Sequence, residues 1–241
     1  MATRIGVSNF VYAKMTTEDT VTTAPEYGTP QAAPGLMSLN INPNGSTDTL
    51  FADDGPLETA TTIGQVEVEI QKNYLSTKNK VDLLGKKTDS KGGLVSSSND
   101  VPPWVAIGFK SLKSNGHYRY CWLYKGKFQD PEDNNETKGD SINWQSDTIN
   151  GNFVRLMFGY TIDSETKFPY KYEMDEDDTT ADSETIKAWF TSVTMPAAGK
   201  SVTPTAAVAA STPVAQSTDE TDQPAVDDTT NDWTALPSAT N

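Results

Sequence analysis

The chain has 241 residues, of which 35% are apolar, and it carries a formal net charge of −14 at pH 7. The apolar share predicts one hydrophobic core with polar appendages. The strong negative charge argues against a protein that binds nucleic acid by neutralising its phosphates. No run of about 18 apolar residues occurs, so no membrane span is expected. The N-terminal residues lack the apolar stretch of a signal peptide, which favours a protein that stays in the cytosol.

Charge is distributed unevenly along the chain. Residues 72–127 carry eleven basic and three acidic side chains, whereas residues 1–71, 128–200 and 201–241 are each net acidic. This pattern predicts a basic surface and an acidic surface on one subunit, which would attract each other across two copies.

Alternating apolar and polar residues predict the strands of the N-terminal half, at residues 5–11, 37–42 and 65–70. After the second of these strands, Asn42-Pro43-Asn44-Gly45 has the composition of a tight turn. The chain is then expected to return through residues 48–51 and to break at residues 53–56.

One helix is predicted beside these strands, from Tyr74 to Leu84. Asn73 can cap its first turn, and Gly85 suits the position after its last turn. The polar residues 86–100 that follow are interpreted as a loop.

Residues 104–124 predict the β-hairpin around which the chain is organised. Two runs rich in aromatic and β-branched residues flank Asn115-Gly116, a pair that readily adopts the positive φ angles of a tight reversal. Because successive side chains of a strand point to opposite faces, the aromatic residues of the second strand should share one face. We expect Trp122 to be a core residue and not a ligand platform. The predicted core of the hairpin is Trp104, Ile107, Phe109, Tyr118, Tyr120, Trp122 and Tyr124.

The C-terminal half is predicted to contain another strand pair, a charged loop and a short helix. The strands are expected from Ile142 towards Ile149 and over residues 153–158, with Asn150-Gly151 as the turn between them. Residues 163–178 have the composition of a charged surface loop. Asp182 or Ser183 can cap the helix.

The last 41 residues differ in character from the rest. They are rich in Ser, Thr, Ala and Pro, and they contain six acidic residues and no basic one. Such a segment cannot bury enough apolar surface to offset its ordering entropy. We therefore divide the chain into a folded β domain over residues 1–198 and a disordered acidic tail over residues 199–241.

The sequence predicts no catalytic or metal site. His117 is the single histidine and Cys121 the single cysteine, so neither a Ser/His/Asp set nor a His/Cys cluster is available. The acidic runs at residues 130–136 and 175–178 lack the regular spacing of a calcium-binding loop, and we interpret them as solvated loops. A non-enzymatic protein without cofactor or metal is expected.

Several stretches together resemble the major tail tube proteins of long, non-contractile-tailed phages (siphophages) of Gram-positive bacteria. Their order and spacing carry the resemblance over roughly residues 1–195. The stretches are Gly6–Lys14, Phe51–Gly55 followed by Gly64–Ile70, Tyr124–Phe128 leading to Glu136–Ile142, and Ala188–Phe190.

The resemblance implies a β-sandwich or barrel-like domain with a flanking helix. It implies that six copies form a ring and that rings stack into the tail tube, assembled in the host bacterial cytoplasm. The implied partners are further copies of the chain, the tape measure, tail terminator and distal tail proteins, and double-stranded DNA that passes without specific binding.

Contacts between rings are expected where basic and acidic groups of neighbouring copies meet. The basic candidates surround the predicted helix and its following loop, and their acidic partners are expected in one of three loops, at residues 53–58, 130–136 or 173–178. The set is Lys72, Lys78, Lys80, Lys86, Lys87, Lys91, Asp53 and Asp54.

Two other classes of protein fit the same composition. A capsid decoration or host-surface protein would also be acidic, rich in strands and non-enzymatic. A carbohydrate-binding module would present exposed aromatic residues such as Trp104 or Trp122.

Overall fold

The computed structural model describes residues 2–52, 54–133, 135–137 and 144–197. Its fold is mainly β, as predicted, with two short helices. The tail predicted to be disordered lies outside the described residues. In chain order the elements are β1 Arg4–Thr17, β2 Glu26–Tyr27, β3 Gln31–Ala32, β4 Leu36–Ala52, β5 Gly55–Lys72, α1 Thr77–Leu84, β6 Lys87–Thr88, β7 Leu94–Val95, β8 Val105–Lys113, β9 Tyr118–Phe128, β10 Asp147–Val154, β11 Tyr160–Ile162, β12 Glu165–Lys167, β13 Lys171–Asp175 and α2 Ser183–Ala188.

One curled antiparallel sheet of nine strands organises the described residues. Its main path runs β2-β1-β8-β9-β10-β5-β4, while β3 pairs with β1 and β13 pairs with β9. The β8–β9 hairpin lies in the middle of this path, and its strands pair in register from Ile107 opposite Leu123 to Leu112 opposite Tyr118. The other strands of the main path therefore lie on either side of this hairpin.

The two faces of β9 contribute to two different cores. Cys121 and Leu123 lie in the first core, which also contains Val68, Ile70 and the α1 residue Leu83. Trp122 and Tyr124 lie in the second core, together with Leu156, Tyr160 and Trp189. Strand alternation thus separates the two cores, since neighbouring residues of a strand point in opposite directions.

Trp122 is the centre of the second core. Its side chain has 0% exposure, and its indole N–H donates a hydrogen bond to the Trp189 carbonyl oxygen at 3.0 Å. Gly108 lies directly opposite on β8, where an added Cβ would be 2.9 Å from the indole ring. The large ring therefore fits because its partner on the neighbouring strand has no side chain.

Helix α1 is shorter than predicted. It begins at Thr77, and the Ser76 hydroxyl, not Asn73, accepts the capping hydrogen bond from the Asn79 N–H. The Asn73 N–H instead donates to the Gly35 carbonyl oxygen, which fixes Asn73 in the preceding turn. Gly85 ends the helix in the left-handed conformation with φ of 72°, as the sequence predicted.

The predicted turn at residues 42–45 is wrong. Strand β4 continues through Pro43 and Gly45, and it pairs with β5 from Leu36 to Ala52. A register shift between Pro43 and Gly45 forms a bulge, which accommodates the turn-forming residues within the strand. The strands stay paired as far as Ala52 and Gly55, so one long hairpin forms where a turn at residues 42–45 was predicted.

The predicted strand pair around Asn150-Gly151 is also wrong. Both residues lie inside β10, where Gly151 is paired with Val68 of β5 and with Phe128 of β9. Pairing on both edges outweighs the turn preference of this dipeptide, and the strand ends at Val154. The proposed start at Ile142 lies outside the described residues.

The charged segment of residues 163–178 contains two strands where a loop was expected. Strand β13 pairs with β9, and its last residue, Asp175, accepts two hydrogen bonds from Arg119, at 2.6 and 2.7 Å. Lys113 pairs with both Asp175 and Asp177. The acids of this run therefore neutralise bases of the central hairpin.

Replacing Trp122 tests the importance of the second core. Trp122→Ala should lower the free energy of unfolding by about 3–5 kcal/mol, because it leaves a cavity between β9 and the residues that follow α2. Urea denaturation measures the change. The control Trp144→Ala removes a side chain that is 87% exposed and should change stability by less than about 0.5 kcal/mol. Equal stability of both variants would contradict a central role for Trp122.

Candidate interaction surfaces

The first surface is the part of the β4–β5 hairpin that projects from the sheet. Strand β10 covers β5 from Val66 to Lys72. Beyond Val66, β5 pairs with β4 alone among the described residues, from Ile63 opposite Gly45 to Gly55 opposite Ala52. At a rise of about 3.3 Å per residue, this two-stranded ribbon extends roughly 35 Å beyond the sheet. We call residues 43–65 the projecting hairpin.

The projecting hairpin exposes large apolar side chains. Each of Leu50, Phe51, Leu57 and Ile63 is more than half exposed. Residues directly opposite one another share a face of the ribbon, so Leu50 and Glu58 lie together, and Asp48 lies two residues along on the same face. Among the described residues, neither acid forms an ion pair. This face combines an apolar side chain with unpaired negative charge.

A row of threonines stabilises the other face of the ribbon. Thr47 and Thr61 share a hydrogen bond of 3.1 Å between their hydroxyls, and Thr49 and Thr59 share one of 3.2 Å. An isolated two-stranded ribbon is only marginally stable in water. These cross-strand pairs support the ribbon where no third strand does.

Sequence reasoning missed this surface because it placed a turn at residues 42–45. The signal that could have found it is the run Thr59-Ala60-Thr61-Thr62-Ile63, which is rich in β-branched residues and faces an equally long run before the break.

The second surface is the polar face of strands β4, β5 and β10. Asn40, Glu69 and Asn150 occupy one row across the three strands, and Asn42, Glu67 and Asn152 occupy the next. They surround a shallow cavity of about 250 Å³. Lys127 of β9 continues the second row, with its ammonium held 4.5 Å from the centre of the Trp104 ring. The face is thus formed mainly by amides and carboxylates.

The third surface is a groove after α1, and a hydrogen-bond network fixes the helix beside it. The Asp82 carboxylate accepts a hydrogen bond from the Tyr12 hydroxyl at 2.8 Å and pairs with Lys14 at 2.5 Å. Burial raises the pKa of Asp82, but these hydrogen bonds outweigh it, so the net pKa is lowered. Burial and Asp82 together raise the pKa of Tyr12. The ionised carboxylate therefore anchors α1 to β1.

The groove itself is formed by the end of α1 and the loop that follows. Gly85, Lys87, Val95, Ser97, Asn99, Asp100 and Val101 line its volume of about 460 Å³. Both valines are more than half exposed. A Cβ on Gly85 would be 2.3 Å from the Val101 carbonyl oxygen, so this glycine sets the close approach of the loop to the helix. We call this the α1 groove.

Three of the predicted contact lysines lie in the segment after α1, either beside the α1 groove or in the loop between β6 and β7. Lys86 is engaged inside the subunit, because its ammonium pairs with Asp130 at 2.7 Å and donates to the Ser96 hydroxyl. Lys87 and Lys91 are exposed, and neither is in an ion pair among the described residues. These two lysines are the free positive charges near the groove.

The other predicted contact residues have different surroundings. Lys72 is 1% exposed and lies over the Phe10 ring, and burial lowers its pKa against the opposing effect of Asp147. It therefore offers no ammonium to a second copy. Lys78 donates to Gln31, and Lys80 is half-buried on α1. Asp54 is exposed at the hairpin turn, and Asp53 lies outside the described residues.

The aromatic residues of the central hairpin offer little to an external ligand. Trp122 and Tyr124 are fully buried, as is Ile107, and Phe109 is 6% exposed. Tyr118 and Tyr120 are half-buried. Trp104 is half-buried beneath the ammonium groups of Lys125 and Lys127. Trp122 therefore cannot serve as a platform for a sugar ring.

Comparison with known families identifies the kind of protein that carries these surfaces. The family model described as phage tail tube protein matches residues 21–197. The chain belongs to the phage tail tube protein family. This is a family of structural proteins of the virion tail that assemble with one another and with other tail proteins, and it is not a family of enzymes. A search of curated proteins finds no match.

Because the tail tube family is structural, the features of this chain that bear on its function are surfaces and not a catalytic pocket. In the ranges that the structure describes, neither helix is long and apolar enough to cross a membrane.

Reversing the charges of the two exposed lysines after α1 tests their part in assembly. Lys87→Glu combined with Lys91→Glu should slow assembly at low salt, with a smaller effect near 1 M salt, where the screening length is about 3 Å. Light scattering against time measures the rate. The control Lys187→Glu reverses an exposed lysine on α2 and should change little. Identical growth of the double variant and the parent at every salt concentration would show that assembly does not use these lysines.

Proposed function

We propose that this chain is the repeating subunit of a siphophage tail tube. Six copies form a ring, rings stack, and double-stranded DNA passes through the tube during ejection without specific binding. The tape measure protein would occupy the tube during assembly, and the terminator and distal tail proteins would meet its ends. Assembly would take place in the cytoplasm of the host bacterium. Membership of the tail tube family supports the structural role.

The projecting hairpin is the observation that carries this proposal. Four large apolar side chains are exposed on a ribbon only two strands wide. Burying a side chain of this kind contributes about 1.5–3 kcal/mol, so a surface that covers several of them stabilises a contact substantially. An arm that contacts a different surface of the next copy makes a heterologous contact, which can continue indefinitely. Stacked rings need contacts of this type.

The polar face of β4, β5 and β10 supports the conduit function. Its opposite side is the first core, with Val66, Val68 and Ile70 buried. DNA should pass easily along a wall that does not attract its phosphate groups. Carboxylates repel phosphate and neutral amides carry no charge that would attract it. The charge of Lys127 is partly shielded by the Trp104 ring below it. We therefore assign this face to the lumen of the tube.

Removing apolar side chains from the projecting hairpin tests the proposed assembly. The purified parent chain should form rings or filaments that negative-stain microscopy detects. Phe51→Ser combined with Leu57→Ser should keep its thermal stability, because both side chains are exposed, yet form few or no filaments. The control Val21→Ser removes an exposed apolar residue elsewhere and should assemble normally. A parent chain that stays monomeric at every concentration would contradict the proposal.

Imaging also tests the assignment of the lumen. Electron cryo-microscopy of the filaments should place Asn40, Glu69 and Asn150 on the inner wall, because these side chains share the polar face. A reconstruction that places this face on the outside of the tube would contradict the lumen assignment but not the proposal that the chain forms a tube.

A further inference from the structure

We infer that Lys125 and Asp19 become joined inside the folded subunit by an amide between the lysine Nζ and the aspartate Cγ. The two side chains form an ion pair with 2.6 Å between Nζ and Oδ1, and they are only 7% and 0% exposed. The inference goes beyond the proposed function, because it concerns a modification within one chain and does not depend on assembly.

The fold brings together three segments that are distant in the sequence. Asp19 follows the end of β1 by two residues, and Lys125 lies in β9, opposite Val154 of β10. Met157, which follows β10 by three residues, contacts the same carboxylate. Holding two reacting groups in contact can be equivalent to an effective concentration of about 10⁵ M or more. Such proximity favours a condensation that free amines and carboxylates do not undergo in water.

Burial favours the amide over the ion pair. Two charges taken out of water lose their hydration, and their mutual attraction often fails to compensate for that loss. An amide removes both charges and keeps the connection between the segments. One neighbour of the lysine is aromatic, since the Lys125 ammonium lies 4.9 Å from the centre of the Trp104 ring. These surroundings favour a neutral product.

The two oxygens of the Asp19 carboxylate have different partners. Oδ1 contacts the Lys125 ammonium, and Oδ2 accepts a hydrogen bond from the Met157 backbone N–H. When an amine adds to Cγ, negative charge develops on an oxygen, and a backbone N–H already aimed at that oxygen stabilises it. Oδ1 is therefore the oxygen that leaves, and Oδ2 becomes the amide oxygen.

Two tyrosine hydroxyls complete the surroundings of the carboxylate. Burial, and then the charge of Asp19, raises the pKa of Tyr27 and raises that of Tyr160 to about 12. Both hydroxyls stay protonated near neutral pH, so neither brings a second negative charge to the site. The Tyr27 hydroxyl donates to the Tyr124 carbonyl oxygen, which holds its ring in place.

The reaction needs no other reagent. The ammonium transfers one proton to Oδ1, and the neutral amine then adds to Cγ. As the bond between Cγ and Oδ1 breaks, the departing hydroxyl takes a second proton from Nζ and leaves as water. One C–N bond forms, one C–O bond is lost, and nothing is oxidised or reduced.

The link would tie the end of β1 to the strand at the centre of the sheet. Like a disulfide, it closes a loop of chain and so restricts the unfolded state. With a single cysteine, the chain has no internal disulfide that could do the same. The amide would therefore be the covalent staple of this subunit.

The intact mass of the purified full chain, measured after incubation in neutral buffer, tests the link. The mass should be lower than that of the sequence by one water molecule, and digestion should release a branched peptide that joins the segments around residues 19 and 125. Lys125→Arg keeps the positive charge but cannot form this amide, so it should keep its full mass. Asp19→Asn should lose ammonia instead of water and give the same linked product. The control Lys167→Arg changes an exposed lysine and should lose water as the parent does.

Three results would overturn the link. The first is a parent chain with the full mass of its sequence, and the second is loss of water from Lys125→Arg. The third is a loss that maps elsewhere, because cyclisation of Asp54 onto the Gly55 nitrogen also releases water but gives no branched peptide. The mass and peptide map of the parent decide the question even where a variant fails to fold. A chain that forms filaments without the link would overturn this inference and leave the proposed function standing.

Discussion

Strand β9 must bury side chains on both of its faces, and this requirement organises the molecule. On one side Cys121 and Leu123 pack in the first core, to which β5, β10 and α1 contribute. On the other side Trp122 and Tyr124 pack in the second core, which the residues after α2 complete, and the Trp122 indole N–H donates to the Trp189 carbonyl oxygen. A strand covered on both faces lies in the interior of a fold, so the remaining strands are added at its edges and the helices on opposite sides.

Strand β5 connects this interior to two of the candidate interaction surfaces. Its C-terminal part alternates between core residues such as Val68 and exposed acids such as Glu69, so the same strand forms core on one face and the polar face on the other. Its N-terminal part leaves the sheet as half of the projecting hairpin. Because the hairpin is continuous with a strand fixed by β10, its direction is set by the sheet.

The fold was predictable where local pattern and tertiary pairing agree. Residues 104–124 form a hairpin because aromatic and β-branched runs flank Asn115-Gly116, and Gly85 ends a helix because it adopts positive φ at little cost. The sequence pattern gave the wrong structure at two places. Asn150-Gly151 has the composition of a turn but stays extended, because strands pair with it on both edges. The turn-forming residues at Pro43 also stay within a strand, because a bulge accommodates them. The charged groups near the groove were visible in the sequence. The burial of Lys72 and the pairing of Lys86 with Asp130 were not, because both depend on residues distant in the chain.

The threonine pairs of the projecting hairpin constrain how its length can change during evolution. Side chains alternate between the two faces of a ribbon, so inserting one residue in each strand would exchange the faces and turn Leu50 and Glu58 to the side now occupied by Thr49 and Thr59. Adding two residues to each strand would preserve both faces and lengthen the arm by roughly 7 Å. Relatives with longer or shorter arms should therefore differ by even numbers of residues per strand, so the length of the arm would change in discrete steps.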